Sequence, residues 1–148
     1  MYRHILIATD GSELATKAMG QGLDLAKRVG AQVTVVTVTE PWSPFDMAQE
    51  AREGRPDPIG QFEAIAAKAA NRILADAAQR AKALEVSADC IHVKDRYPAE
   101  GIMSVVSDKQ CDLIVMGSRG LRGVSRLLLG SQAYEVLTHC RVPSLIVR

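Results

Sequence analysis

The sequence predicts an α/β domain built on a parallel sheet. Two observations carry that prediction. Five short apolar runs, rich in β-branched residues, recur along the chain: Ile5-Leu6-Ile7-Ala8, Val33-Thr34-Val35-Val36-Thr37-Val38, Cys90-Ile91-His92-Val93, Leu113-Ile114-Val115-Met116 and Leu145-Ile146-Val147. Short runs that are apolar throughout, rather than alternating with polar residues, mark strands buried on both faces. Between them, apolar residues return at spacings of three and four, which is the helical period. The order β-α-β-α-β-α-β-α-β implies parallel strands, and right-handed crossovers place helices on both faces of the sheet.

Each element has its own local justification. After the first run, Ala15, Ala18, Met19, Gly22, Ala26 and Val29 form one face of a helix over 13–29, and Gly30 is its expected C-terminal stop. A second helix is expected over 61–84, with Phe62, Ile65, Ala66, Ala69, Ile73, Ala77, Ala81 and Leu84 on its apolar face. Its alanine content favours helix and allows close approach to a sheet. A third is expected over 98–108, with Pro98 in the first turn and Ile102, Val105 and Val106 facing inward. A fourth covers 131–139, with Ala133 or Tyr134, Val136 and Leu137 inward. The stretch 40–60 fits no regular element. It holds Pro41, Pro44, Pro56 and Pro58 and the single tryptophan, Trp42, and reads as a long functional or mobile loop.

Composition bounds the function. The chain has 148 residues, enough for one domain with a self-sufficient core. Eighteen Lys and Arg stand against 17 Asp and Glu, a net charge of +1, so no electrostatic footprint for nucleic acid or an anionic membrane is present. Hydrophobic residues at 47% and charged residues at 24% describe a folded globule. Cys90, Cys111 and Cys140 are odd in number, widely spaced and set among apolar neighbours, so they read as small buried residues in a reducing cytoplasm. His4, His92 and His139 are too scattered for a zinc site. The apolar segment at the N-terminus is too short for a signal peptide, and no run approaches the ~18 residues that span a bilayer.

In open parallel sheets, ligands bind outside the carboxyl ends of the strands, at a topological switch point. That rule directs attention to the chain after Ala8, after Val38 and after Met116. After Met116 the sequence reads Gly117-Ser118-Arg119-Gly120, then nine residues on, Gly130-Ser131 at the start of a helix. Glycine allows close backbone approach, and amide groups at a helix start attract anions. Ser131 is suited to capping that helix or to bonding a phosphate oxygen. Residues 121–129 are expected to form a loop or short turn that brings the two glycine clusters together. Arg119, Arg122 and Arg126 add cations in the same stretch. Thr9-Asp10-Gly11-Ser12 supplies a carboxylate and two hydroxyls at the same rim, and Asp10 also reads as an N-cap with Glu13 as its capping-box partner.

Ile5-Leu6-Ile7-Ala8-Thr9-Asp10-Gly11-Ser12, the G-x2-G-x9-G-S stretch and Val142-Pro143-Ser144-Leu145-Ile146-Val147-Arg148 together resemble the universal stress protein family, across essentially the whole chain. The resemblance implies a single domain over 1–148, with an adenine nucleotide alpha-hydrolase-like, Rossmann-like sheet of order 3-2-1-4-5 and two helices on each face. It implies ATP, with Mg2+ or Mn2+, across the carboxyl ends of the first, second and fourth strands. Ala8, Thr9 and Asp10 would border adenine and ribose, and the Val38 backbone would meet adenine. Met116 ends the fourth strand at the site, and Gly117, Arg119 and Gly120 would pack against ribose and phosphates. Gly130, Ser131 and Gln132 would bind phosphates. Ala8 stands where some members have Pro, and Gln132 where many have Val; both are expected to act through backbone. The resemblance further implies a homodimer through the C-terminal edge strand, an edge that otherwise needs covering.

No strong catalytic constellation accompanies the motif. The chain has no G-x4-GK[ST] loop and no G-x-S-x-G elbow. The expected function is therefore an ATP-binding stress-response switch or sensor, with at most very slow hydrolysis or autophosphorylation. Three alternatives differ in class. A phosphoacceptor receiver needs an acidic pair after the first strand, where Asp10 stands alone. A flavodoxin-like electron carrier has only Trp42, Phe45 and Tyr97 for flavin stacking. A family member acting through its dimer surface would have no use for the intact glycine set.

Overall fold

The computed structural model describes residues 1–54, 56–121 and 128–148. Five parallel strands, β1 (His4–Ala8), β2 (Gln32–Val38), β3 (Ala88–Val93), β4 (Leu113–Gly117) and β5 (Ser144–Val147), form one sheet in the order β3-β2-β1-β4-β5. The central position of β1 follows from its sequence. Ile5, Leu6 and Ile7 have no exposed surface, and a strand that apolar must lie between neighbours on both edges and both faces.

The two-residue alternation of β1 divides the core. Ile5 and Ile7 pack with Val33, Val35, Leu113 and Val115 beneath α1 (Glu13–Val29) and the second half of α3 (Pro58–Ala83). Leu6 and Ala8 pack with Val36, Ile114 and Met116 against α4 (Pro98–Lys109) and α5 (Ser131–His139). Each face thus carries two of these helices, as the sequence implied.

Helix α1 ends as expected: Gly30 is left-handed at φ 70°, and the Ala31 N–H donates to the Ala26 carbonyl at 3.0 Å. Its start differs. The N-cap is Ser12, whose hydroxyl accepts from the Ala15 N–H at 3.2 Å, and not Asp10. The reason is that Asp10 is occupied two residues earlier, where its Oδ1 accepts from the Ser12 N–H at 2.9 Å.

Segment 40–60 is corrected more strongly. It contains a nine-residue helix, α2 (Pro44–Arg52), and the first turn of α3. Two of the prolines in this stretch are helix starters. Pro44 follows an N-cap, Ser43, that accepts from the Asp46 N–H at 3.1 Å, and Pro58 follows Asp57, which accepts from the Gly60 N–H at 3.2 Å. Helix α3 therefore runs 26 residues, ~39 Å at the usual rise. Its buried residues, Ala70, Leu74, Ala77 and Ala81, all lie from its midpoint onward. In α5, Ala133 and Val136 are buried, while Tyr134 and Leu137 are exposed, so the helix faces the sheet through its smaller residues.

Gly22 sets how closely α1 lies on the sheet. A Cβ there would stand 2.7 Å from Ile7 Cδ1 and 2.9 Å from its Cγ1, and Ile7 is fully buried with nowhere to move. Gly22→Val is expected to destabilise the fold by about 1–3 kcal/mol through overpacking, despite the better helix propensity, read as a lowered thermal midpoint.

Candidate functional site

The chain reverses direction across the sheet at β1 and β4. The connections leaving β1 and β2 turn to the α1/α3 face, and those leaving β3 and β4 turn to the α4/α5 face. A crevice opens between the diverging loops at the carboxyl ends, as such topology requires. It is a cleft of about 1160 Å³. Every residue expected at the site lines it: Ala8, Thr9 and Asp10 after β1, Val38 after β2, Met116, Gly117, Arg119 and Gly120 after β4, and Gly130, Ser131 and Gln132 at the start of α5.

The two glycine clusters do meet. The Gly130 N–H donates to the Ser118 carbonyl at 2.7 Å, and the Ser118 N–H donates to the Val147 carbonyl at 2.8 Å. The glycines serve this contact rather than leaving room for a ligand. A Cβ on Gly117 would meet the Arg119 carbonyl oxygen and Leu14 Cγ, each at 3.2 Å. A Cβ on Gly130 would lie 2.9 Å from the Ser118 carbonyl oxygen, and one on Gly120 would lie 2.5 Å from Asp10 Oδ2. Their missing side chains would point into protein, so valine there would displace the loop rather than fill the cleft.

Asp10 ties the two loops together. While Oδ1 holds the turn after β1, Oδ2 accepts from the Leu121 N–H at 2.8 Å, across 111 residues of sequence. Beside it, the Thr9 hydroxyl accepts from the Gly11 N–H at 3.3 Å. Arg119 lines the cleft, and its Nε–H is buried with no hydrogen-bond partner among the described residues. A buried guanidinium donor left unpaired is costly, so this atom fits an anionic acceptor brought from outside. Arg122 and Arg126, expected beside it, lie outside the described residues.

Ser131 is not the cap of α5. The N-cap is Gly130, with no side-chain cap, and Ser131 is the exposed first residue of the helix. Gln132 also departs from expectation: its side chain is engaged, with Oε1 accepting from the Ala99 N–H at 2.9 Å.

The wall opposite the glycine loop was not foreseen. Trp42, Phe62, Ile65, Ala66 and Ala69 line the cleft from α3 and the chain before α2, with Trp42 and Phe62 paired at 6.4 Å between ring centroids. Phe62, Ile65, Ala66 and Ala69 belong to the apolar face expected of α3, so the first half of that face lines the cleft instead of the sheet. Tyr97 and Pro98, at the start of α4, complete the rim. The cysteines stay outside this chemistry. Burial, then the charge of Asp112, pushes the Cys111 thiol up to about 11 against a smaller opposing pull from Lys109, and burial raises Cys90 as well.

The profile of the universal stress protein family matches residues 1–148. The chain belongs to that family. A universal stress protein of Thermus aquaticus is 35% identical over 155 residues, covering the whole of both chains. A solved universal stress protein in complex with cAMP is 24% identical at a TM-score of 0.72, over 99% of this chain and 97% of that one. The universal stress protein of Archaeoglobus fulgidus in complex with dAMP is 19% identical at a TM-score of 0.68, over 99% of this chain and 98% of that one. These likenesses establish the five-stranded parallel-sheet fold, while the glycine loop and the Asp10 bond come from this universal stress protein's own residues.

Replacing Asp10 with Ala is expected to release the loop after β4. Two hydrogen bonds are lost, costing about 1–2 kcal/mol, and exchange of the Leu121 amide proton is expected to speed up.

Proposed function

We propose that this universal stress protein is an ATP-binding regulatory protein, a nucleotide-dependent switch or sensor that takes ATP together with Mg2+ or Mn2+. The observation that carries the reading is the buried Arg119 Nε–H, unpartnered among the described residues, in a cleft that also contains the amide end of α5, which no side chain caps. A cation donor and a helix N-terminus at one rim favour a phosphate group. The nucleotides named in the two solved relatives, cAMP and dAMP, share adenine and phosphate, which supports an adenine nucleotide as the ligand class.

In this reading the residues divide by chemistry. Ala8, Val38 and Met116 offer an apolar floor to the base, and Thr9 and Asp10 border the ribose. Gly117, Arg119 and Gly120 stand along ribose and phosphates, and Gly130, Ser131 and Gln132 present backbone amides to the phosphate chain. Among the described residues, no group of three His, Cys, Asp or Glu is arranged to hold a metal ion. The divalent cation would therefore arrive on the phosphates themselves. Hydrolysis or autophosphorylation, at most very slow, is secondary to binding.

The reading extends to assembly and compartment. β5 is an edge of the sheet, with Leu145 38% exposed, and pairing with a twofold mate would cover both. Three unpaired cysteines suit a reducing cytoplasm, and among the described residues no helix is long and apolar enough to cross a membrane.

Titration calorimetry of nucleotide-free protein with Mg-ATP is the direct test. Saturable heat with a raised thermal midpoint is expected, and neither heat nor stabilisation would overturn the reading. Arg119→Ala is expected to weaken ATP binding by roughly 10- to 100-fold, the loss of a charge-assisted hydrogen bond. The midpoint of the ligand-free variant is expected to stay close to wild type, because the Nε–H makes no bond to lose.

A further inference from the structure

The side chain of Gln132 joins two helix starts that both face the cleft. Gln132 is the second residue of α5, and Ala99 is the second residue of α4. α4 has no side-chain cap of its own: Tyr97 is its N-cap residue but makes no such bond, and Pro98 has no N–H to satisfy. The Ala99 N–H, one of the amides a helix leaves orphaned at its start, is instead taken by Gln132 Oε1 at 2.9 Å, from a residue 33 positions away. A helix that would ordinarily be capped from within is capped by its neighbour.

The consequence lies in what each helix start carries. Gly130 and Ser131 precede Gln132, and Tyr97 and Pro98 precede Ala99; all four line the cleft. The bond fixes the distance between the amide end of α5 and the Tyr97-Pro98 rim. It also holds two helix N-termini, with their partial positive charges, toward one opening.

We propose that Gln132 is a positioning residue: its side chain locks the start of α5 to the start of α4 and so sets affinity at the phosphate end of the cleft. This rests on the nucleotide reading above and adds a side-chain role where only backbone was expected. The side chain acts through Ala99 and not by touching the ligand. Its loss therefore loosens the amides that meet phosphate and leaves the floor of Ala8, Val38 and Met116 unchanged. The effect should separate phosphate-bearing ligands from adenosine.

The test compares wild type with Gln132→Leu, which keeps bulk but removes the acceptor, using Mg-ATP and adenosine as probes in calorimetry and amide exchange at Ala99 as the structural readout. The expected result is faster Ala99 exchange, ATP affinity lowered about tenfold, and adenosine affinity changed less than twofold. Gln132→Glu retains the acceptor and is expected to restore slow Ala99 exchange, which ties that signal to the bond. Equal losses for ATP and adenosine would show a general structural role and overturn the proposal. Unchanged ATP affinity alongside faster Ala99 exchange would overturn it too. Wild-type protein that binds neither probe would instead overturn the nucleotide reading, and the assignment would fall with it.

Discussion

One backbone hydrogen bond organises the cleft end of this molecule: Gly130 N–H to the Ser118 carbonyl, at 2.7 Å. It draws the end of the loop after β4 back to the loop's beginning, so that the start of α5 stands beside the end of β4. Close approach of this kind excludes a Cβ at 130, while at 117 the crowding comes from Leu14 and the Arg119 carbonyl. The N–H of the same residue, Ser118, donates to the Val147 carbonyl, so the loop is also fastened to the last strand. Asp10 completes the arrangement from β1 by accepting from Leu121. The cleft has its shape because three separate parts of the chain are tied by short polar bonds over a rigid sheet.

That sheet is rigid for a reason visible in its packing. Ile5, Leu6, Ile7, Val35, Ile114 and Val115 are fully buried, and the helices above them touch down through small residues: Ala18, Gly22 and Ala26 in α1, Ala77 and Ala81 in α3, and Ala133 in α5. Small residues let helices sit close, and bulky strand residues fill the space between. Few large side chains remain for other work, and Trp42 and Phe62 are used at the cleft instead of in the core.

The division of α3 shows where sequence periodicity reaches its limit. Phe62, Ile65, Ala66, Ala69, Ala77 and Ala81 lie on one helical stripe, and a stripe says only that those residues share a side. In the fold, the second half of that helix meets the sheet and the first half extends past the strand ends, so its apolar residues line a cleft instead. Ile65 remains 69% exposed as a result. The neighbouring α2 was misread for a related reason. Pro44 and Pro58 look like breakers within a proline-rich stretch, but a proline directly after Ser43 or Asp57 is a helix start. The signal lay in the residue before each proline.

By itself, the sequence determined the order of the strands and of every helix except α2, the parallel sheet, the buried strands and the rim where the cleft opens. These follow from local periodicity, from the handedness of crossovers and from the rule that parallel sheets bind at their carboxyl ends. The glycine spacing, the residues after β1 and the family resemblance they carry were enough to name eleven of the positions that line the cleft. Tertiary structure alone decided what those residues do. Asp10 spends its carboxylate on Ser12 and Leu121, Gln132 caps a helix other than its own, Arg119 retains an unmatched donor, and Trp42 and Phe62 form the far wall. Apart from the Asp10–Ser12 bond, each role depends on a partner far away in sequence or on the lack of one among the described residues. Such a pairing leaves no trace in local periodicity, because it exists only once the chain has closed on itself.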